Sequence, residues 1–182
     1  MSVFHRGEQS MQAAYGMAEK MGEIGSRLFR DFMPDQHRQF FEELPFILVA
    51  ARDSDGHPVA SFLAGQPGFI QTSEREMTIR SKFTPGDWVA PLLKGDPVGL
   101  LGIMLHNRRR NRMNGLVFHN ESGRLGISVV QSFGNCPKYI QTRERIKRVD
   151  RSAVQAEAIN FKDPVLRQWI ENSDTFFIAS QA

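Results

Sequence analysis

The chain's single cysteine stands in Gly134-Asn135-Cys136-Pro137-Lys138-Tyr139, directly after the apolar run 125–133. This loop brings a flexible glycine, an amide that donates and accepts, a φ-locked proline, a cation and an aromatic ring to one strand end. Such an inventory suits a planar, anionic ligand. A nucleophilic role for Cys136 would require an adjacent base, and only His106 or His119 could serve, if the fold brought one of them close. A lone cysteine does not make a multi-cysteine zinc site. Packing as a small side chain is the reading that requires least.

A second group with chemical potential is Arg108-Arg109-Arg110-Asn111-Arg112. Arginine's planar fork matches a phosphate or carboxylate, but a cationic turn is also an ordinary solvated surface. A third is the basic stretch from Lys138 to Arg151, in which Tyr139, Ile140, Ile146 and Val149 alternate with cations. Nucleic-acid surfaces share that mixture, yet the remainder of the chain is net acidic and no recognition helix is evident, so this class is disfavoured. His5, His37, His57, His106 and His119 show no metal-binding spacing. Neither a dinucleotide Gly-x-Gly-x-x-Gly, a phosphate-loop Gly-Lys-Ser/Thr nor a Gly-x-Ser-x-Gly elbow occurs.

The elements that must position these groups change character along the chain. Met11, Ala14, Tyr15, Ala18, Met21, Ile24 and Leu28 recur at helical spacing, which predicts a helix over 8–30. Met33-Pro34 ends it, and a short helix over 35–44 stops before Pro45. Period-two and continuous apolar runs follow: 46–51 and 59–64 across Asp55-Gly56, then 69–72, 98–106, 113–119 and 125–133. Residues 77–81 read as a strand or a polar connection, and 87–93 as a helical turn. Helices are expected over 149–159 and 163–172, then a terminal apolar strand over 175–179. That last pair, Trp169-Ile170 running into Thr175–Ala179, mirrors the earlier helix end running into 46–50. With 182 residues and a formal net charge of +3, one β-rich domain with flanking helices is the expectation. No run is long enough to span a membrane as a helix, and residues 1–6 lack the apolar core of a secretory signal, so a cytoplasmic protein is expected.

Four segments in order carry a family resemblance: Phe4-His5-Arg6-Gly7-Glu8, Ala64-Gly65-Gln66-Pro67-Gly68-Phe69-Ile70, Gly99-Leu100-Leu101-Gly102-Ile103 leading to Arg108–Gly115, and the Asn135-Cys136-Pro137-Lys138-Tyr139 loop. Together they resemble the pyridoxamine 5'-phosphate oxidase-like, FMN-binding split-barrel proteins over residues 4–180. The resemblance implies a mainly β fold, an FMN-binding split β-barrel with N-terminal helices and a C-terminal helix. It divides the chain into a helical extension (1–45), the barrel core (46–140), and a basic connection, helix and terminal strand (141–182), where a second, homologous half could begin. It also implies a homodimer with one FMN in each of two interface clefts, a small-molecule substrate and a fused or separate reductase.

In such a protein Ser61, Phe62, Phe69, Ile70 and Gln71 would line the isoalloxazine, and Gly65 and Gly68 would let backbone approach it. Arg109, Arg112 and Lys138, with Arg80 and Lys82 as further candidates, would meet the phosphate, and Asn135 would shape the cofactor edge. The Arg- and Trp-bearing C-terminal segment that holds substrate in true pyridoxamine-phosphate oxidases is missing, which counts against vitamin B6 oxidation. The expected function is an FMN-dependent oxidoreductase. The alternatives are a non-enzymatic module for another planar cofactor, haem or F420, and a nucleic-acid binder.

Overall fold

A computed structural model describes residues 3–83, 86–144 and 158–180. The predicted first helix is two helices, α1 (Arg6–Ala14) and α2 (Ala18–Leu28). Gly16 divides them by adopting φ +64°, the left-handed stop that glycine takes without strain. His5 caps α1: its Nδ1 accepts from the Gly7 and Glu8 amides while the Glu8 carboxylate accepts from the His5 amide. A third helix, α3 (Asp35–Glu42), buries Phe40 and Phe41 completely. Burial of each ring stabilises the fold by roughly 1.5–3 kcal/mol relative to exposure.

Seven strands follow: β1 (Phe46–Arg52), β2 (Pro58–Ala64), β3 (Ile70–Thr72), β4 (Glu76–Arg80), β5 (Pro97–Met104), β6 (Arg109–Glu121) and β7 (Arg124–Gly134). They form one antiparallel sheet in the order β2-β1-β5-β6-β7-β4-β3. A flat sheet of this order would hold β2 and β3 about 29 Å apart, six strand spacings. The chain between Ala64 and Ile70 could reach only about 21 Å if fully extended, and it is not extended. A Cβ on Gly65 would lie 2.3 Å from Phe69 Cγ, and Gly68 turns at φ +90°. The sheet is therefore curled until its edges meet. Ser81 Oγ, just after β4, donates to the Ala64 carbonyl at the end of β2 (3.3 Å), yet no ladder joins β2 to β3. This is a split barrel.

The inner face carries the core: Ile47, Val49, Leu63, Ile70, Met77, Ile79, Leu100, Met113, Leu125 and Ile127. α3 plugs one end, and Gly102 on β5 leaves room for Phe40, Phe41 and Leu44. Residues 77–81 resolve as strand β4, and 87–93 as turns whose carbonyls at Val89, Ala90 and Leu92 accept from Asn120 Nδ2. The largest difference from expectation is β6. It starts at Arg109, so Arg109–Arg112 are ladder residues and only Arg108, at φ +58°, belongs to the turn.

A last helix, α4 (Pro164–Asn172), is capped by Asp163. The expected terminal strand over 175–179 is a segment without strand pairing among the described residues. The basic residues Arg145, Lys147, Arg148 and Arg151, and most of the helix expected over 149–159, lie outside the described residues. No helix among the described residues is long and apolar enough to cross a membrane.

Candidate cofactor-binding site

Side chains alternate across a strand, so the residues between the buried positions Val49, Leu100, Met113 and Ser132 all face the outside of the barrel. Strand register aligns them into two rows. One is Ala60–Ala50–Gly99–Asn114–Gln131, across β2, β1, β5, β6 and β7. Its first three members bear at most a methyl group and make a floor about 10 Å long. Its far end is a pair of amides, with Asn114 Nδ2 donating to Gln131 Oε1 (3.1 Å). The other row is Phe62–Leu48–Leu101–Arg112–Phe133. Two aliphatic side chains there lead to a guanidinium.

Arg110 shares this outer face, two residues before Arg112. Its Nη2 donates to the Cys136 carbonyl (2.7 Å), and its own carbonyl accepts from the Asn135 amide (2.9 Å). The cysteine loop is thereby fastened beside the β6 cations. Two atoms at this junction, Arg110 Nε and Asn135 Oδ1, are buried without a hydrogen-bond partner among the described residues. A buried polar atom in that state loses about 1–3 kcal/mol unless something binds it. Neither Arg110 nor Arg112 is in an ion pair among the described residues. Partial desolvation, then the charge of Arg110, holds the Arg112 guanidinium below the usual arginine range. With the Asp174 carboxylate of the cleft paired to Arg143, two cations on one face make a place for an anion.

Leu48, Ala50, Gly99, Arg110, Arg112 and Asn114 of this face line a cleft of about 570 Å³ whose other wall is residues 174–180, with Tyr139, Ile140 and Gln141 at one side; Gln131 and Asn135 lie outside that lining. The volume suits a cofactor-sized ligand.

The register sorts the residues singled out from sequence. Arg112, Asn135 and Phe62 reach the outer face or its margin, Phe62 stacking on Phe46 at 5.0 Å. Ser61 points the other way, its hydroxyl donating to both Asp87 oxygens (2.7 and 2.8 Å). Phe69 and Ile70 are buried in the core, and Gln71 is exposed on the edge strand β3. Arg109 faces inward and lies 5.2 Å from the centroid of the Phe40 ring. Lys138 is exposed with its ammonium over Tyr139 and does not line the cleft. Gly65 makes room for Phe69 within its turn. Sequence reasoning names Arg110 only as part of the 108–112 run and misses Asn114, Gln131, Ala50 and Gly99. The alternation Arg110-x-Arg112-x-Asn114 was the available signal, but it was read as a turn. The exposed Cys136 thiol accepts from the Lys138 amide (3.4 Å), with no histidine bonded to it among the described residues.

No protein-family model matches the chain, and no curated protein matches it. Solved structures do. A Lactobacillus delbrueckii protein described provisionally as a pyridoxamine 5'-phosphate oxidase aligns over 57% of this chain and 95% of its own, with 11% identity and a TM-score of 0.43. An F420 reductase aligns over 57% and 98%, with 13% identity and a TM-score of 0.38. A FAD- and haem-binding protein from Mycobacterium smegmatis aligns over 77% and 96%, with 12% identity and a TM-score of 0.39. The likeness is one of fold. The split barrel described above rests on its own strand pairings, and the cleft on its own residues.

Proposed function

We propose that the chain is a flavoprotein that holds FMN on the outer face of β1, β5 and β6. The observation that carries this reading is the conjunction, at one end of a flat floor, of two guanidiniums without an ion-pair partner among the described residues, Arg110 and Arg112, and two buried polar atoms without a hydrogen-bond partner among them, Arg110 Nε and Asn135 Oδ1. The residues present fit the group. Ala60, Ala50 and Gly99 admit a flat ring, Leu48 and Leu101 give it an apolar flank, and the Asn114–Gln131 amides offer a donor and an acceptor to a heterocycle edge. The guanidiniums would take the phosphate as charge-assisted hydrogen bonds.

Bound FMN supplies hydride or single-electron transfer to a small-molecule substrate; the chain's residues bind, orient and exclude water. No side-chain acid or base in the cleft is needed for that role. The identity of the substrate does not follow from these residues.

Titration of purified protein with FMN, read by quenching of flavin fluorescence, tests the proposal, with riboflavin as the phosphate-free control. FMN is expected to bind more tightly than riboflavin, and Arg112→Glu to abolish most of that difference. Failure of the wild-type protein to bind FMN would overturn the reading. Tighter binding of F420 or haem would replace FMN by that cofactor. Among the described residues the cleft lining offers a haem iron the Tyr139 phenol but no histidine, cysteine or methionine.

A further inference from the structure

The wall opposite the floor is a second copy of an element the barrel already contains. Aligning Arg38 with Arg167 puts Gln39 on Gln168, Phe40-Phe41 on Trp169-Ile170, and Glu42 on Glu171. It then puts Leu48 on Phe177 and Ala50 on Ala179. The structure keeps the same register: α3 begins at Asp35 and α4 at Pro164, the matching position. Exposure also follows the repeat. In β1 the residues that face the barrel interior are Ile47 and Val49; their counterparts Phe176 and Ile178 are 70% and 78% exposed. Phe177, at 42%, and the half-buried Ala179 are the counterparts of the outward-facing Leu48 and Ala50. The outer face of the first unit thus lines the cleft opposite the segment that repeats it.

From this repeat and its placement we infer that residues 174–180 complete the cofactor cleft in cis, with Phe177 and Ala179 as binding residues that cover the Ala50–Gly99 floor. The inference rests on the flavin reading above and deepens it. Where the family resemblance sets a partner subunit across this face, the chain's own repeat stands here. Two contacts tie the wall to the barrel. Arg143 pairs with Asp174, and the Arg143 amide donates to the Leu105 carbonyl at the end of the β5 hairpin (3.4 Å). Both side chains of the ion pair are partly exposed, so it sets the position of the wall and adds little affinity.

The test uses the 182-residue protein and FMN as the probe, with three readouts: fluorescence titration, solution mass by light scattering, and limited proteolysis of 158–180 with and without FMN. One FMN per chain is expected whether the protein is monomeric or not. FMN should protect 174–180 from cleavage, and Phe177→Asp should weaken binding by about tenfold or more, the scale of one lost apolar contact. Arg143→Glu should weaken it by about threefold, an effect restored in Arg143→Glu/Asp174→Arg. Wild-type binding with no effect of Phe177→Asp and no protection of 174–180 would overturn the cis wall while leaving the flavin reading intact. Absence of wild-type FMN binding would overturn both. Leu93→Asp, on an exposed residue outside the cleft lining, controls for a general loss of apolar surface; an equal loss there would also overturn the assignment.

Discussion

Arg110 and Arg112 share the outer face of β6, while Arg109, beside them in sequence, lies on the inner side against the Phe40 ring. The strand pleat thus divides one basic run into a ligand-facing pair and a structural cation. Arg112→Glu should weaken FMN binding at least tenfold and riboflavin binding much less, because only the phosphate is lost as a partner. Arg109→Gln should leave FMN affinity near wild type and lower unfolding stability by about 0.5–1 kcal/mol, the scale of a cation–π contact near the surface. Paired fluorescence titrations and urea melts measure both. A larger binding loss for Arg109→Gln would reverse the division.

The loop after β7 makes a related prediction. Cys136 contributes its carbonyl to Arg110, so Cys136→Ser should leave FMN affinity within about twofold of wild type. Lys138→Glu, on a residue outside the cleft lining, should weaken binding less than Arg112→Glu does. Asn135→Ala removes one of the two orphaned atoms and should lower affinity without lowering the stability of the apo protein.

Gly99 and Gly102 lie on opposite faces of β5 and should respond differently to substitution. A Cβ at Gly99 would meet Asn114 Oδ1 at 3.4 Å, an ordinary contact. Gly99→Leu should therefore fold and yet fail to bind FMN, since its branch covers the floor. At Gly102 a Cβ would lie 2.7–2.9 Å from Phe40, Leu44 and Phe41, all fully buried. Gly102→Ala should destabilise by about 1–3 kcal/mol, a fall in Tm of about 2–4 °C per kcal/mol at this chain length. Thermal melts with FMN titrations separate the two outcomes.

Much of this plan was legible in the sequence. Alternating apolar runs gave six of the seven strands, and Asp55-Gly56 gave the β1–β2 hairpin. What sequence could not show was which side of each strand faces inward near its ends. Ser61 and Phe62 are adjacent and look like one patch, but the pleat sends Ser61 to Asp87 and Phe62 outward. Phe69-Ile70 resembled a ring-binding wall, yet closure of the barrel buries it. The Arg109–Arg112 strand was hidden because its ladder partners, Leu101 to Met104 on β5, make a strand of a charged run that has little strand propensity of its own.

His37 is buried between α3 and β7, its Nδ1 2.9 Å from Ser132 Oγ. Burial first, then the charges of Arg30 and Arg109, hold its pKa below 6.5. A histidine kept neutral in the fold binds fewer protons there than in the unfolded chain, so its contribution to stability is whole above pH 6.5. That contribution is lost as pH falls from 6.5 toward the folded value. Urea midpoints taken between about pH 7 and pH 5 should fall, and His37→Gln should flatten that fall. An unchanged slope in the variant would remove His37 from this role.

Because the edges of β2 and β3 meet without pairing, the barrel works like a spring clip whose gap is held by a short turn and one side-chain hydrogen bond, Ser81 to Ala64. Opening it breaks no ladder. Amide hydrogens on the gap sides of β2 and β3 should thus exchange with solvent by small excursions, while those of β5, β6 and β7, flanked on both sides, wait for larger ones. The seam lies three strands from Arg112 in either direction, so the guanidinium end of the cleft stays rigid while its Ala60 end, on β2, shares the breathing of the seam.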